Sequence, residues 1–205
     1  YSKSKNMRYW QNEFNEGRIS GEERTSRIKK IFNYDLGYIQ MRMEEIGDIS
    51  VLVGQCEIPM EVNHEVFQFA KSNSITTIFN PAPARSLERE FLEHISWLIP
   101  NENEFELISG MQPNEENFIK FNKEIPCNLI VTLGEKGAVF VDENETLYFD
   151  APTVDAVDTT GAGDSFIGTF AYELSESNSP EVCIKKAVER ASQSVTKKGT
   201  QSSYS

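Results

Sequence analysis

The chain has 205 residues and a formal net charge of −12, with 32 Asp and Glu against 20 Lys and Arg. Nucleic acid and acidic membrane surfaces need clustered cations and are excluded as partners, whereas a nucleotide site needs only local donors. Apolar residues make up 39%, as in a globular domain, and the odd set Cys56, Cys127 and Cys183 argues for a reducing compartment rather than a disulfide framework or a Cys-x-x-Cys metal site.

Residues 1–47 carry no chemistry that can be named. A helix over 22–45 would line up Ile28, Ile31, Phe32 and Leu36, although Gly37 weakens it. No apolar run is long enough to span a bilayer, and no secretory leader is recognisable, so the expected location is the cytoplasm, the nucleus included. From Asp48 onward, strand and helix patterns alternate. A strand over 49–54 precedes a helix opened by Pro59, with Val62, Val66, Phe67 and Ala70 on one face, running to Ser72. A strand over 75–79 ends in Asn80-Pro81-Ala82-Pro83-Ala84. A helix over 87–94 and a strand over 95–99 follow. Asn101 with Glu104 marks the next helix start, which should stop near Gly110. A helix over 115–123, a strand over 128–132, and a hairpin of 138–141 and 146–149 around 142–145 come next. The last helices run to about Leu174 and over 181–197, the latter ended by Gly199.

This alternation predicts a mostly parallel sheet covered on both faces, with ligands beyond the carboxyl ends of the strands. Gln55 to Glu57, Asn80, Asn101 to Glu104, Thr132 to Gly137 and Asp158 to Asp164 all fall on that rim. The most specific stretch is Asp158-Thr159-Thr160-Gly161-Ala162-Gly163-Asp164-Ser165-Phe166. Small residues entering a helix leave backbone N–H groups free to face an anion. Asp164 would be unwelcome beside phosphate unless it takes a proton from an attacking hydroxyl; its plain alternative is an acid complementing the helix dipole.

Extended by Val157, this string resembles the second signature of the ribokinase (PfkB) family of sugar kinases. The resemblance covers 48–205 and implies a three-layer α/β/α nucleotide-binding domain. It implies ATP-dependent phosphorylation of a sugar hydroxyl, with D-ribose to D-ribose 5-phosphate as the leading reaction. Asp164 would be the general base and touch the sugar, and the N–H groups of Gly161, Ala162 and Gly163 would form the anion hole. Gln55-Cys56-Glu57-Ile58-Pro59 resembles the segment whose Glu contacts the sugar, here Glu57. Asn101 would approach the phosphates and Glu104 would order Mg²⁺ through water. Thr132, Gly134, Glu135, Lys136 and Gly137 resemble the nucleotide loop. The tail from Lys198 to Tyr204 resembles that of animal-type members. With it, Asp158, Thr160, Ser194, Lys197, Gly199 and Ser203 would surround a monovalent cation, K⁺.

Taken singly, these residues have plainer readings: Glu57 as a loop acid, Glu104 as half of a capping box, Thr132 as a strand end, Asn80-Pro81 as a turn. The sequence lacks the Gly-Gly of the family's first signature, and 1–47 match neither that signature nor the sugar-closing β-lid that often mediates the homodimer. The expectation is therefore that N-terminal strands and most of the sugar pocket are missing and that an apolar sheet edge is exposed. The alternatives are a non-catalytic relative that binds nucleotide or a partner, and a family kinase for another sugar or a nucleoside. No P-loop, dinucleotide fingerprint or zincin spacing is present, and His64 is expected on an exposed helix face. Val188-Glu189-Arg190 stands where the family often has an Asn or His near adenine, which leaves the base contacts open.

Overall fold

The computed structural model describes Met41, residues 49–141 and residues 146–199. Apart from Met41, the expected helix over 22–45 lies outside the described residues, as do the turn over 142–145 and the tail beyond Gly199, Ser203 included.

Six strands form one sheet in sequential order: β1 Val51–Gln55, β2 Thr76–Asn80, β3 Trp97–Leu98, β4 Asn128–Thr132, β5 Ala138–Val141 and β6 Thr146–Phe149. The first four are parallel, and β5 and β6 return antiparallel as a hairpin. Parallel neighbours need crossovers, supplied by α1 Met60–Ser72, α2 Arg89–Leu92, and the pair α3 Glu102–Ser109 and α4 Glu115–Asn122. Crossovers of one hand between strands that advance in one direction fall on one face of the sheet. The other face is closed by α5 Ala162–Ser175 and α6 Pro180–Ser194.

The alternation of side chains along each strand builds two cores. Leu129, Val131, Val139 and Val141 point to the crossover helices, where Phe67, Phe79, Phe91, Phe105, Phe118 and Phe121 pack. Ile130, Ala138 and Phe140 point the other way, onto Phe166, Phe170, Ile184 and Val188. Fully burying such a side chain stabilises by roughly 1.5–3 kcal/mol, so both layers contribute to holding the sheet between them.

Among the described residues the expected elements are present, with four differences. The strand expected over 95–99 is only Trp97–Leu98. The helix expected over 87–94 is a single turn, because only Phe91 and Leu92 are buried there. His64 is half-buried rather than exposed; its ring lies 4.8 Å from that of Phe91 and its Nε2 3.7 Å from Glu88. The last helix ends at Ser194 rather than near Lys197; just beyond it, the carbonyl of Val195 accepts the N–H groups of Val157 and Asp158.

Candidate functional site

The carboxyl ends of β1 to β4 and the N-terminus of α5 meet on one rim. Gln55 and Asn80 end β1 and β2 and are register partners in the last rung of that pair. Asn101 follows β3 and bridges Thr132, the last residue of β4. Asp164 lies in the first turn of α5.

Hydrogen bonds connect these residues from end to end. Nε2 of Gln55 donates to Oδ1 of Asp164 at 3.1 Å and to Oδ1 of Asn80 at 2.9 Å. Nδ2 of Asn80 donates to Oε2 of Glu104 at 3.5 Å and to the carbonyl of Ile99 at 2.8 Å. Asn101 and Glu104 form a capping box: the N–H of Glu104 donates to Oδ1 of Asn101 at 2.9 Å, and the N–H of Asn101 to Oε2 of Glu104 at 2.8 Å. The plainer reading of Glu104 is thus realised, and it places the carboxylate on the rim. Glu104 is only 6% exposed, and that burial raises its pKa against the opposing pull of the Asn101 N–H and the Asn80 amide.

The turn into α5 depends on Gly161, whose φ of +80° lies in the left-handed region. No side chain caps this helix; the N–H of Ala162 donates to the carbonyl of Thr159 at 3.3 Å, so the leading N–H groups left for an anion are those of Gly163 and Asp164. A Cβ added at Gly163 would meet nothing within 4 Å, so packing within the chain does not demand this glycine. Gly137 is the opposite case. Its φ is +101°, and a Cβ would lie 1.9 Å from the carbonyl oxygen of Phe149, so hairpin packing accounts for it without a ligand. Gly134, Glu135 and Lys136 form an exposed single turn between Thr132 and Gly137.

A second cluster gathers around Asp158. The N–H of Thr160 donates to its Oδ1 at 3.0 Å, and that of Gly199 to its Oδ2 at 3.0 Å. These donors, Thr160 first, hold the Asp158 carboxyl below its ordinary range. The structure therefore brings Asp158, Thr160 and Gly199 together. The hydroxyl of Ser194 donates to the carbonyl of Ala191 at 2.8 Å, which leaves its oxygen lone pairs available, and a lysine can offer a cation only its backbone carbonyl, so Lys197 would contribute main-chain oxygen. One carboxylate among carbonyl oxygens suits a hard monovalent cation. Among the described residues no group of three or more His, Cys, Asp or Glu could hold a metal. A Mg²⁺ ion that keeps most of its waters needs no such cluster, and Glu104 fits the water-ordering role.

Glu57 is exposed in the turn after β1 and bonds to none of these groups. The sequence reading places Gln55 and Asn80 on the rim without a chemical role, although they are the residues that join Asp164 to Glu104. Both lie in stretches that resemble the family's, and each puts an amide at one of two successive strand ends, but nothing in the sequence says that the two amides meet.

Comparisons with known proteins identify relatives of the chain. A family model described as pfkB family carbohydrate kinase matches residues 38–205. A deoxyribokinase of Salmonella typhi is 38% identical over 173 residues, covering 81% of this chain and 56% of the relative. A ribokinase of Staphylococcus aureus is 37% identical over 139 residues, covering 65% and 46%. The chain spans about half the length of these curated relatives. Among solved structures, a ribokinase from Thermotoga maritima matches with a TM-score of 0.69 and 40% identity, covering 75% of this chain and 52% of that one. A ribokinase of Arabidopsis thaliana, complexed with ribose and ATP, matches with a TM-score of 0.70 and 30% identity over the same shares. These relatives are bacterial and plant, and they lend nothing to the animal-type resemblance of the tail.

Proposed function

The chain belongs to the pfkB family of carbohydrate kinases, and from that premise we propose that it transfers the γ-phosphoryl group of ATP to a pentose hydroxyl, D-ribose or deoxyribose. The observation that carries this reading is the position of Asp164. It stands in the first turn of α5, hydrogen-bonded to the end of β1, where an anion-binding helix start and a proton acceptor share one place. The Asp164 carboxylate takes the hydroxyl proton as the sugar oxygen bonds to the γ-phosphorus. The bond from that phosphorus to the bridging oxygen breaks, and ADP leaves. The N–H groups of Gly161, Ala162 and Gly163 are assigned to the charge on the phosphoryl oxygens, that of Ala162 being shared with the Thr159 carbonyl, to which it donates at 3.3 Å. Glu57 is assigned to the sugar, and Asn101, Thr132 and the 134–137 turn to the nucleotide.

Mg²⁺, when bound, neutralises phosphate charge. Glu104 is the residue placed to orient its waters. Asp158, Thr160 and Gly199, with Ser194, the main-chain oxygen of Lys197 and Ser203, are the residues proposed to hold K⁺. The relatives that support ribose and deoxyribose are named ribokinase and deoxyribokinase, so the pentose is left to the assay. No described helix is long and apolar enough to cross a membrane, and the three cysteines are free, which suits a reducing, ATP-rich cytoplasm.

The test is ADP release by the full chain with ribose, with deoxyribose and without sugar, for wild type and Asp164→Asn. Pentose-dependent turnover that drops by about 10²–10⁴-fold in the variant, with ATP binding retained, is expected. Near-wild-type turnover by Asp164→Asn would falsify the base assignment. ATP binding without pentose-dependent turnover in wild type would favour the nucleotide-binding reading.

A further inference from the structure

The carboxamide of Gln55 spends both of its N–H donors on the rim, one on Asp164 at 3.1 Å and one on Asn80 at 2.9 Å. Asn80 passes its own donors to the Ile99 carbonyl at 2.8 Å and to Glu104 at 3.5 Å. The direction of these bonds is dictated by chemistry. A backbone carbonyl and a carboxylate can only accept, so the NH₂ group of Asn80 must face Ile99 and Glu104. Its oxygen is then left for Gln55. Gln55 must present nitrogen to that oxygen, and the same nitrogen serves Asp164. Both amides are thereby oriented without ambiguity by the acceptors at the two ends.

The backbone at Gln55 is equally restrained. Its carbonyl accepts from Nδ2 of Asn63 at 2.9 Å, and Asn63, on α1, is only 2% exposed. The next residue, Cys56, donates its N–H to the Ala82 carbonyl at 2.8 Å. The donor facing Asp164 therefore stands on a strand end pinned by two other elements, whereas Asp164 itself is exposed at a helix start.

We infer that Gln55 is a positioning residue: its amide holds the carboxylate of Asp164 in place and, through Asn80, ties it to Glu104. Its meaning for catalysis rests on the proposed role of Asp164 as base; the contact itself does not. Glutamate is isosteric with glutamine but would set an acceptor against Asp164 and Asn80 together. Leucine keeps the volume and removes the donors.

The experiment uses the full chain and two readouts. The side-chain amide signals of Gln55 in a ¹H–¹⁵N spectrum, identified by their loss in Gln55→Leu, should shift in Asp164→Ala. Those of Asn80 should shift in Gln55→Leu and in Glu104→Gln. Kinetically, Gln55→Leu should lower kcat by about 10- to 100-fold with KM for ATP unchanged. Gln55→Glu should be worse than Gln55→Leu although closer in shape. Gln55 signals indifferent to Asp164→Ala, or wild-type kcat in Gln55→Leu, would overturn the inference. A wild-type chain without pentose-dependent turnover counts against the kinase reading instead, and the amide signals then decide for Gln55 alone.

Discussion

Lys186 on α6 donates Nζ to Oε2 of Glu173 on α5 at 2.7 Å, and Nδ2 of Asn178 reaches the same oxygen at 2.8 Å. Glu173 is 8% exposed, so the helix that carries Asp164 at its first turn is clamped to its neighbour at its last. The hydrogen bond to Glu173 raises the pKa of Lys186 above its ordinary 10.5. A cation whose folded value is raised contributes stability that is complete below the unfolded value and lost as pH rises through the folded one. Lys186→Met should therefore lower Tm at pH 7, and the gap to wild type should close as pH climbs above 10.5. Thermal melts across that range check it; a gap that persists undiminished would contradict the pairing.

Gly163 separates folding from function more sharply. It is helical, and a Cβ there meets nothing in the chain. Gly163→Ala should stabilise α5 by up to about 1 kcal/mol, since alanine loses less entropy than glycine in a helix. The same methyl would stand among the N–H groups proposed to face the transferring phosphoryl group. A variant that melts higher yet turns over less is expected, from paired melts and ADP assays. One that melts higher with unchanged turnover would remove Gly163 from the anion hole.

The contrast with Gly137 shows which parts of the site were legible in the sequence. Both glycines lie in motifs that read as ligand loops, but Phe149 demands one of them and nothing in the chain demands the other. The turn from Asp158 to Ser165 could be read because its chemistry is local: a left-handed glycine, a helix start and an acid within a few residues. The rim could be read because alternating elements place every strand end on one side. The bond from Gln55 to Asp164 spans 109 positions, and no local pattern encodes which side chains meet across such a gap. The end of the last helix is hard to read for a related reason. Beyond Ser194 the carbonyl of Val195 accepts from Val157 and Asp158, some 40 residues earlier, a contact that no local pattern announces.

The cysteines make a separate prediction about redox behaviour. Burial pushes the Cys127 thiol up to about 12, with Glu93 adding to it, and pushes Cys56 up to about 11 despite Arg85 nearby. Burial also raises Cys183. The thiolate is the reactive form, so all three should resist alkylation at pH 8 in the folded chain and react fully in denaturant. Mass spectrometry after timed iodoacetamide treatment measures this. Fast labelling of Cys127 in the native state would show that its site opens.

Gly54 is where packing controls the rim. A Cβ built there would lie 2.6 Å from Cε2 of Phe67 and 2.8 Å from its Cζ. That ring cannot move aside, because it is 1% exposed and packed on Phe79 at 5.5 Å and Phe91 at 5.2 Å. Gly54→Ala should therefore cost about 1–3 kcal/mol, the usual penalty of overpacking. Phe67→Leu alone should also destabilise, by leaving space among the aromatic rings. Combined, the two changes should cost less than their sum, because the smaller side chain makes room for the new methyl. Gly54 directly precedes Gln55, so the single variant should also move the amide signals of Gln55, and the double variant should bring them back. Additive costs in a urea-denaturation cycle would show that β1 relieves the clash by shifting as a whole, rather than through contact with Phe67.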